Sequence, residues 1–566
     1  MTGSVDLVQF ESWLAENDIR YDKELISLKN SPSTGIGVYL NVEKFQKQGE
    51  KLDKLELFRI PYSSTYSAKS IISLFDLEIE YELQFKDSDD DNDNDIFKCE
   101  VLKDFIKASA LKYGFISETM FLTMNFVALT LWKNYREFKL SLSSDSTIYG
   151  NSPLGKLDSY LAVLLNTKVN LPLLEDQNHN EITKACYELS RDCGWELKDS
   201  SIYDSIIDDL VEIFGSKYSQ SQFKNSLLTE TQFWQIIAAV RSRVLEIPEE
   251  IEEEEGEEEE EDNFTVNTTL VPLLDFVNHN NRLKNAYFDI DRSTKDVVLI
   301  YEHNDDNDDI YSGDKKEIEV YISYSPIEDL KKFAFTYGFI PKTFKDNKLF
   351  EIQIDREYLA NYNNKNLSIN LKNFYKWLGI LPNIQFVIEY DSGNVLKKVK
   401  LNILDNYMFL GFLRGLKLSD GPFPLDNHFP EIMGNGSKDS ISIDNDPQFK
   451  FIFENPFTEK KTCSRVFDID QLIQMIPEDE IDFLIVDMLN FLKKYALDRV
   501  LKINKAIGKY EKKDCNLTSL NLINCEKQIL EKFIEEFNTE EDPMNLILGP
   551  EEIEDEWQLY RMKPRN

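Results

Sequence analysis

Hydrophobic and polar positions follow two different periods along this chain, and regions of each period alternate. Residues 5–16 have apolar positions at helical spacing, whereas 27–41 and 55–68 predict strands, the first with a glycine turn and the second ending near Pro61. Between 101 and 247 apolar residues recur three and four positions apart, which predicts helices at 101–113, 117–137, 155–167, 180–193, 202–215 and 226–247. Thr229 is a favourable N-cap near the start of the last helix.

Strand patterns return after residue 265. Segments 286–291, 296–302 and 317–325 predict a small antiparallel meander, and 329–341 predicts a helix ended by Gly338 and Pro341. From about 345 the pattern is largely helical with some strand. Each strand region is too small to enclose a core alone, so we expect them to pair across the helical region, which would bring Gly37 close to His279.

These patterns predict an α+β fold. We expect a β-rich core at about 20–100 and 265–340, interrupted by a helical insert at about 101–247, and a mostly helical domain at 345–566. The length of 566 residues agrees with two or three domains.

The charge is strongly acidic and partly local. The net charge is −38, and the segment 249–262 contributes twelve acidic residues, which we expect to form a solvated loop. This charge disfavours binding to nucleic-acid phosphates and favours encounter with a basic protein. No stretch of eighteen apolar residues and no signal-peptide pattern is visible in the sequence, so we expect no membrane segment.

The cysteines and one set of regularly spaced acidic residues are the features of the sequence that could indicate a metal site. None of the six cysteines forms a CxxC pair, which argues against a zinc site or a disulfide framework and favours a reducing compartment. Asp89, Asp91, Asp93 and Glu100 have the spacing of a calcium loop, but Asn94 stands where such loops normally have glycine. An Asp/Asn-rich tract produces such matches by chance, so we expect no bound metal.

Four regions carry candidate chemistry. They are GIGVYL at 35–40, AVRSRV at 239–244, DFVNHN at 275–280, and ISYS at 322–325 with YGF at 337–339. Each has an ordinary structural explanation, because such glycines form turns, a helix-end arginine is usually a surface charge, and Asn-His pairs and tyrosines usually cap or pack. Their order and combination are more specific than any of them alone.

Together these regions resemble the SET-domain protein-lysine methyltransferases, in the branch containing Rubisco large-subunit methyltransferase and fungal ribosomal-protein and elongation-factor methyltransferases. GIGV resembles the early Gly-x-Gly turn of that branch, WQIIAAVRSR its Ser-Arg helix, and DFVNH its Asn-His element. The resemblance implies a SET domain at 1–340 and a C-terminal substrate-binding domain at 345–566. Two features depart from the branch: Ser325 stands where glycine is usual, and the run of glutamates is an unusual insertion.

For the methyl donor, the resemblance implies S-adenosylmethionine. It assigns the donor's carboxylate to Arg243, whose guanidinium offers two parallel donors and stays charged. It assigns the adenine and ribose pocket to Gly35, Gly37, Asn278 and His279.

For the acceptor, the resemblance implies a lysine that enters a narrow apolar channel, where the neutral amine is favoured. Tyr324 is the predicted catalytic hydroxyl, and its place beside the transferring methyl makes it a cofactor contact as well. Tyr287 and Tyr337 are the predicted channel walls, whose ring faces favour a methylated cation.

The resemblance implies a non-histone protein substrate. Ribosomal proteins and elongation factors are our first expectation, and cytochrome c is another class known for the branch. We expect a monomer that acts in the cytoplasm, or in both cytoplasm and nucleus. Two other functions stay open: a catalytically inactive SET-fold scaffold, and an adaptor that binds its partner through residues 345–566.

Overall fold

The structure is a computed structural model. It describes residues 6–31, 35–47, 54–84, 98–113, 117–142, 152–167, 169–175, 181–191, 200–214, 219–250, 264–302, 316–341, 348–354, 383–391, 395–403, 478–508 and 517–549, with short pieces at 358, 393, 416–418, 450–454, 461–465, 473 and 476.

The fold is α+β. The principal helices are α1 (Leu7–Glu16), α2 (Val42–Lys47), α3 (Ala68–Gln84), α4 (Cys99–Tyr113), α5 (Glu118–Leu142), α6 (Asp158–Asn166), α7 (Glu181–Arg191), α8 (Ser200–Phe214), α9 (Glu230–Arg241), α10 (Leu330–Thr336), α11 (Glu478–Ile507) and α12 (Thr518–Thr539). The strands are β1 (Arg20–Tyr21), β2 (Ile26–Ser31), β3 (Gly35–Asn41), β4 (Lys54–Ile60), β5 (Tyr66–Ser67), β6 (Leu245–Glu250), β7 (Phe264–Leu270), β8 (Asn278–His279), β9 (Ala286–Ile290), β10 (Val297–Glu302), β11 (Glu317–Glu319), β12 (Tyr321–Ile322), β13 (Glu328–Asp329), β14 (Lys348–Gln353), β15 (Asn383–Tyr390), β16 (Leu396–Asn402), β17 (Leu416–Leu418), β18 (Lys450–Glu454) and β19 (Lys461–Arg465).

The two strand regions pair with one another across the helices, as the sequence predicts. Antiparallel ladders join β4 to β10, β3 to β11 and β5 to β7. Strands more than 200 residues apart in the chain therefore share three small sheets. This pairing carries the Gly37 region to the Asn278–His279 strand.

The predicted meander at 286–325 is wrong in part. β9 and β10 form its first hairpin, but β11 leaves it to pair with β3, and β12 pairs in parallel with β8. The segment 317–325 supplies only two short strands, because successive parts of it bond to different partners.

The helical region is close to the prediction, with two differences. The helix expected at 226–247 ends at Arg241, because Leu245 starts a strand that pairs with β7 and Pro248 cannot continue a helix. Helix α3 was not predicted. Its apolar stripe runs through Ile71 and Phe75 and then meets a glutamate, Glu78, which is 1% exposed and accepts a 2.7 Å hydrogen bond from the Leu154 backbone N–H.

The region after 345 contains more sheet than expected. β13, β14, β15 and β16 form one mixed sheet, and β17, β18 and β19 form another. The described residues contain two large hydrophobic cores, and the first is formed by residues between Phe10 and Ile322. Helices α11 and α12 pack together, and α12 also covers β16, so a sheet and two long helices share the second hydrophobic core.

Helix α7 belongs to this second core, although it lies within the predicted insert. Its residues Ile182, Cys186 and Leu189 are buried among the C-terminal helices. Arg499 on α11 donates to the Leu189 carbonyl at 3.0 Å, which links the insert to the C-terminal region by a buried hydrogen bond.

Two further observations concern membranes and metals. None of the helices within the described residues is long and apolar enough to cross a membrane. The same residues contain no group of three His, Cys, Asp or Glu side chains placed to hold a metal ion. Asp89, Asp91 and Asp93 of the calcium-like spacing lie outside the described residues.

Candidate active site

The backbone at Gly37 lies against the side chains of two other strands. A Cβ at this position would be 2.8 Å from Glu319 Oε1 and 3.1 Å from Asn278 Nδ2. Asn278 Nδ2 donates to Glu319 Oε1 at 2.7 Å and to the Ile36 carbonyl at 3.4 Å. Glycine therefore allows the close approach of these two side chains, the property expected of a cofactor turn.

Gly35 has a different role from Gly37, although both were predicted for the cofactor. Its φ is +79°, in the left-handed region, and a Cβ would meet nothing within 4 Å. It pairs with Ser31, at the end of the β2–β3 hairpin where β2 stops and β3 begins. Gly35 therefore serves the turn through its positive φ, whereas Gly37 allows the close approach of Glu319 and Asn278.

Arg243 follows α9 directly. Thr229 caps that helix with a reciprocal capping box to Gln232, as the sequence predicts for this N-cap. Arg243 Nη1 donates to Ser242 Oγ at 2.9 Å and to the Ala239 carbonyl at 3.3 Å, whereas its Nε is buried and has no hydrogen-bond partner. Burial lowers the pKa of the guanidinium, which nevertheless stays charged at neutral pH.

Asp275 provides a buried negative charge near Arg243. Its carboxylate accepts hydrogen bonds from the Tyr160 hydroxyl and from the Val271 backbone N–H at 3.2 Å. Burial raises the pKa of Asp275 to about 7, although Tyr160 and Arg243 both oppose the shift. This places a carboxyl that can change its protonation near neutral pH beside the predicted cofactor arginine.

His279 and Tyr324 are bonded directly. The Tyr324 backbone N–H donates to His279 Nδ1 at 2.9 Å, and the two rings lie 5.1 Å apart. His279 Nε2 lies 3.0 Å from Glu328 Oε1. Because both ring nitrogens have protein partners, the His279 ring supports Tyr324 rather than offering a nitrogen to a ligand.

The Tyr324 hydroxyl is held at a fixed point. It donates a 2.8 Å hydrogen bond to the Val277 carbonyl, one residue before Asn278. Burial raises the pKa of this phenol, and Arg243 opposes the shift in part. The hydroxyl therefore stays protonated at any physiological pH, and its oxygen keeps acceptor capacity for a ligand.

A cluster of aromatic rings lies on one side of Tyr324. The Tyr337 ring lies 4.8 Å from the Tyr324 ring and 5.0 Å from the Phe333 ring, and Phe339 packs on Phe333. Burial raises the pKa of Tyr337 to about 12, and the nearby carboxylate of Glu246 adds to the shift. These rings make the environment on this side of Tyr324 apolar.

Tyr287 does not share this cluster. It lies on β9, where its hydroxyl accepts a 3.0 Å hydrogen bond from Lys54 Nζ and its ring packs 5.0 Å from the same atom. Among the described residues, the aromatic partners of Tyr324 are His279 and Tyr337. The strand of Tyr287 pairs with β10 and carries it to Lys54, so Tyr287 is not a ring neighbour of Tyr324, and its role as a channel wall stays a prediction.

The apolar run before Asn278 is neither a capped helix nor a strand. After Leu270 the chain turns at Leu273, whose φ is +73°, and passes through a 3-10 turn at Leu274–Phe276. Asn278 and His279 then form β8, which pairs in parallel with Tyr321 and Ile322.

Sequence reasoning missed three acidic residues of the site. Asp275 is the first residue of the DFVNHN segment at 275–280. The sequence gives no sign that it interacts electrostatically with Arg243. Glu319 and Glu328 flank the SYS segment and look like ordinary exposed strand residues, yet both bond to the Asn-His pair. Buried acids of this kind give no periodic signal.

Three features of this site fit S-adenosylmethionine. The orphaned Nε of Arg243 requires an acceptor, which a carboxylate supplies. The carboxylates of Glu319 and Asp275 suit a ligand that also carries positive charge. At Gly37 the missing side chain lets Glu319 and Asn278 approach the backbone beside the predicted cofactor turn.

Comparison with known proteins finds similarity to lysine N-methyltransferases. Residues 7–403 match the family model described as cytochrome c lysine N-methyltransferase 1. The protein of that name from Saccharomyces cerevisiae is 30% identical over 376 residues, which cover 65% of this chain and 55% of the relative. Those from Kluyveromyces lactis and Eremothecium gossypii are 29% and 27% identical, with 66% and 63% of this chain covered and 66% and 64% of the relatives. The match therefore spans between about half and two thirds of each relative.

Proposed function

The chain belongs to the family described as cytochrome c lysine N-methyltransferase 1, whose model covers residues 7–403, and on that premise we propose that it is a protein-lysine N-methyltransferase that uses S-adenosylmethionine. The observation that carries the proposal is the bond between His279 and the Tyr324 backbone. It joins the Asn-His element, which reaches Gly37, to a hydroxyl in an aromatic cluster near Arg243.

On the donor side, Arg243 binds the carboxylate of the cofactor through its unpartnered Nε. Asn278 and Gly37 shape the neighbouring wall, and Glu319 holds the Asn278 amide in place. S-adenosylmethionine supplies a sulfonium-activated methyl group, so the protein needs to provide geometry and charge placement.

On the acceptor side, Tyr337 and Phe333 surround the amine with apolar rings. Such an environment disfavours the ammonium form, which lowers the cost of presenting a neutral nucleophile. Tyr324 cannot act as a phenolate base because burial keeps it protonated. We assign its oxygen to orient the amine and the methyl, while its O–H donates the hydrogen bond to the Val277 carbonyl.

The substrate that the family favours is cytochrome c. The relatives carry that substrate in their names, whereas our expectation of a ribosomal protein or an elongation factor finds no support among them. The net charge of −38 favours a basic protein in either case. The SET architecture, the substrate-binding role of residues 345–566 and action in the cytoplasm, with or without the nucleus, are further parts of the proposal.

The activity is tested with labelled donor and purified cytochrome c, using Tyr324→Phe and a matched control. Tyr203 is also buried and donates its hydroxyl to a backbone carbonyl, that of Leu228, at 2.7 Å. Tyr203→Phe therefore removes a similar hydrogen bond away from the site. We expect Tyr324→Phe to lose at least about 100-fold in kcat, within the range of a positioned catalytic group, and Tyr203→Phe to keep wild-type kcat. Equal kcat in both variants would reject the assignment of Tyr324.

The substrate is tested by offering the same enzyme cytochrome c, ribosomes and elongation factors in parallel, with methylated lysines identified by mass spectrometry. Methylation of cytochrome c alone supports the proposal. Methylation of the translation proteins alone would overturn the substrate but retain the activity. Calorimetry with S-adenosylmethionine separates an enzyme from an inactive scaffold, since a scaffold gives no binding heat.

A further inference from the structure

Three buried polar side chains connect the Tyr324 backbone to the first strand after residue 345. Glu328 on β13 and Lys348 on β14 are neighbours in a parallel register. Glu328 Oε1 lies 3.0 Å from His279 Nε2, and Glu328 Oε2 accepts from Lys348 Nζ. The side chains of His279, Glu328 and Lys348 are at most 1% exposed.

The hydrogen bonds fix the tautomer of His279. A backbone N–H can only donate, so Nδ1 must accept the bond from Tyr324 and carries no proton. A neutral imidazole then has its proton on Nε2, which donates it to Glu328. The imidazolium form would carry a proton on Nδ1 as well, and two donors would face each other at the Tyr324 amide.

A buried carboxylate beside a histidine favours that imidazolium form. Glu328 would therefore work against the bond to Tyr324 if its charge were not balanced. The Lys348 ammonium contacts Oε2 of Glu328 and supplies the balancing positive charge.

We propose that Lys348 is a positioning residue: by balancing Glu328 it keeps His279 neutral, with a bare Nδ1 that holds the Tyr324 backbone and thereby its hydroxyl. The strand that opens the C-terminal region would then complete the site as well as support substrate binding. The inference builds on the proposed function where activity is measured, but its first test does not need activity.

The surroundings of His279 contain further groups that a pH argument must include. Tyr324, Phe333 and Phe339 face its ring, and Tyr337 packs behind Tyr324 and Phe333. Asp329, which caps α10, follows Glu328, and Glu319 is bonded to Asn278. Burial raises the pKa of Asp329 to about 6. These groups are the same in all the variants below, so differences between variants report on Lys348.

The first test observes the tautomer in the full-length wild-type chain. Nitrogen NMR of histidine-labelled protein distinguishes a bare Nδ1 from a protonated one, and the chain has only four histidines, so the His279→Gln spectrum assigns the signal. We expect Nδ1 to carry no proton, because it accepts the hydrogen bond from the Tyr324 backbone N–H. A protonated Nδ1 at pH 7 overturns the inference, whether or not the protein methylates anything.

The second test uses charge variants and the pH dependence of kcat. In Lys348→Met the Glu328 carboxylate loses the ammonium that contacts it and favours a proton on His279, so we expect the acidic limb to move up by about one pH unit or more. Activity should fall at pH 7 and recover towards pH 9. In Glu328→Gln/Lys348→Met both charges of this pair are removed, the amide oxygen can still accept from Nε2, and the limb should return to the wild-type position.

The matched control is Lys397→Met on β16, which removes an exposed lysine bonded to Glu389 in the same sheet. Its pH profile should equal that of the wild type. A purely structural role for Lys348 predicts a uniform loss of activity with an unmoved acidic limb, and this result would overturn the inference. If Lys348→Met does not fold, the NMR result on the wild type and the double variant still test the inference. A double variant with a protonated Nδ1 at pH 7 contradicts the charge argument.

Discussion

Asn278 Nδ2 and Glu319 Oε1 are joined by a 2.7 Å hydrogen bond at the one face of Gly37 where a side chain would point. A methyl group at residue 37 would lie 2.8 Å from that carboxylate oxygen. The oxygen is the end of a flexible side chain, so it can move away at little cost to the fold. The hydrogen bond, and with it the orientation of Asn278, would be lost.

We therefore expect Gly37→Ala to weaken S-adenosylmethionine binding by about tenfold or more, the effect of losing roughly one hydrogen bond to a positioned group. The free energy of unfolding should change by less than about 1 kcal/mol. Calorimetry with the cofactor and urea unfolding measure the two quantities.

Gly35→Ala is the matched comparison. Because the φ of Gly35 is +79° and its surroundings are open, the substitution should cost about 1–2 kcal/mol of stability through backbone strain. Its affinity for the cofactor should stay near that of the wild type. The reverse pattern, with affinity lost at residue 35 and stability lost at residue 37, would contradict the separate roles.

Asp275 should make stability depend on pH near neutrality. Its folded pKa is about 7, above the ordinary value of 3.8, so the folded state binds this proton more tightly than the unfolded chain does. The resulting stabilisation is complete below about pH 4 and is lost as pH rises through 7. Between pH 5 and pH 8 the wild type should lose a few kcal/mol relative to Asp275→Asn.

Urea unfolding of both proteins at several pH values measures this difference. Asp329→Asn serves as a second variant, since asparagine also caps helices and the pKa of Asp329 is about 6. Its difference from the wild type should develop at lower pH than that of Asp275→Asn. A difference between wild type and Asp275→Asn that is constant from pH 5 to pH 8 would show that Asp275 does not titrate in this range.

The elements that sequence predicted well are those with local signals. The N-cap at Thr229, the hairpin ending at Gly35 and the stop of α10 before Gly338 depend on the conformational preferences of a few adjacent residues. Pairing across the insert was also predictable, because neither strand region could bury its own apolar face.

The parts that sequence could not predict depend on contacts between distant polar residues. Glu78 interrupts the apolar stripe of α3 because its partner, the Leu154 amide, lies 76 residues away. The resemblance assigned Tyr287 to the channel, whereas strand register places it beside Lys54. Glu328 and Lys348 are in register, yet nothing in their local sequence indicates that both are buried.

The buried ion pair between Arg499 and Glu526 should matter more for stability than any exposed pair on the same helices. Arg499 Nε lies 2.7 Å from Glu526 Oε1, and the same guanidinium bonds to the Leu189 carbonyl. Glu526→Gln removes a buried negative charge that contacts Arg499, so we expect a loss of about 3–5 kcal/mol. Glu531→Gln, which breaks the exposed pair with Lys527, should change stability by less than about 0.5 kcal/mol.

Urea unfolding followed by circular dichroism measures both variants. A loss below about 1 kcal/mol for Glu526→Gln would mean that water or a neighbouring acceptor compensates the arginine. The link between α7 and the C-terminal helices would then contribute less than the geometry indicates.

Arg243→Lys separates charge from geometry at the predicted cofactor carboxylate. Lysine keeps a positive charge but has no planar pair of donors, so it cannot replace both the bond to Ser242 and an Nε contact. We expect the Kd for S-adenosylmethionine to rise about 10- to 100-fold, equivalent to one or two charge-assisted hydrogen bonds. Burial adds a second effect, because it favours the neutral amine and a lysine can lose its proton where an arginine does not.

The affinity of Arg243→Lys should therefore fall further between pH 6.5 and pH 9, and that of the wild type should fall less over the same range. Calorimetric titrations at the two pH values measure this difference. Arg241→Lys is the matched control, since it makes the same change two residues earlier at the end of α9 and should bind the cofactor like the wild type. If Arg243→Lys binds S-adenosylmethionine as tightly as the wild type at both pH values, the carboxylate of the cofactor lies elsewhere, because a buried guanidinium in direct contact with it could not be replaced at no cost.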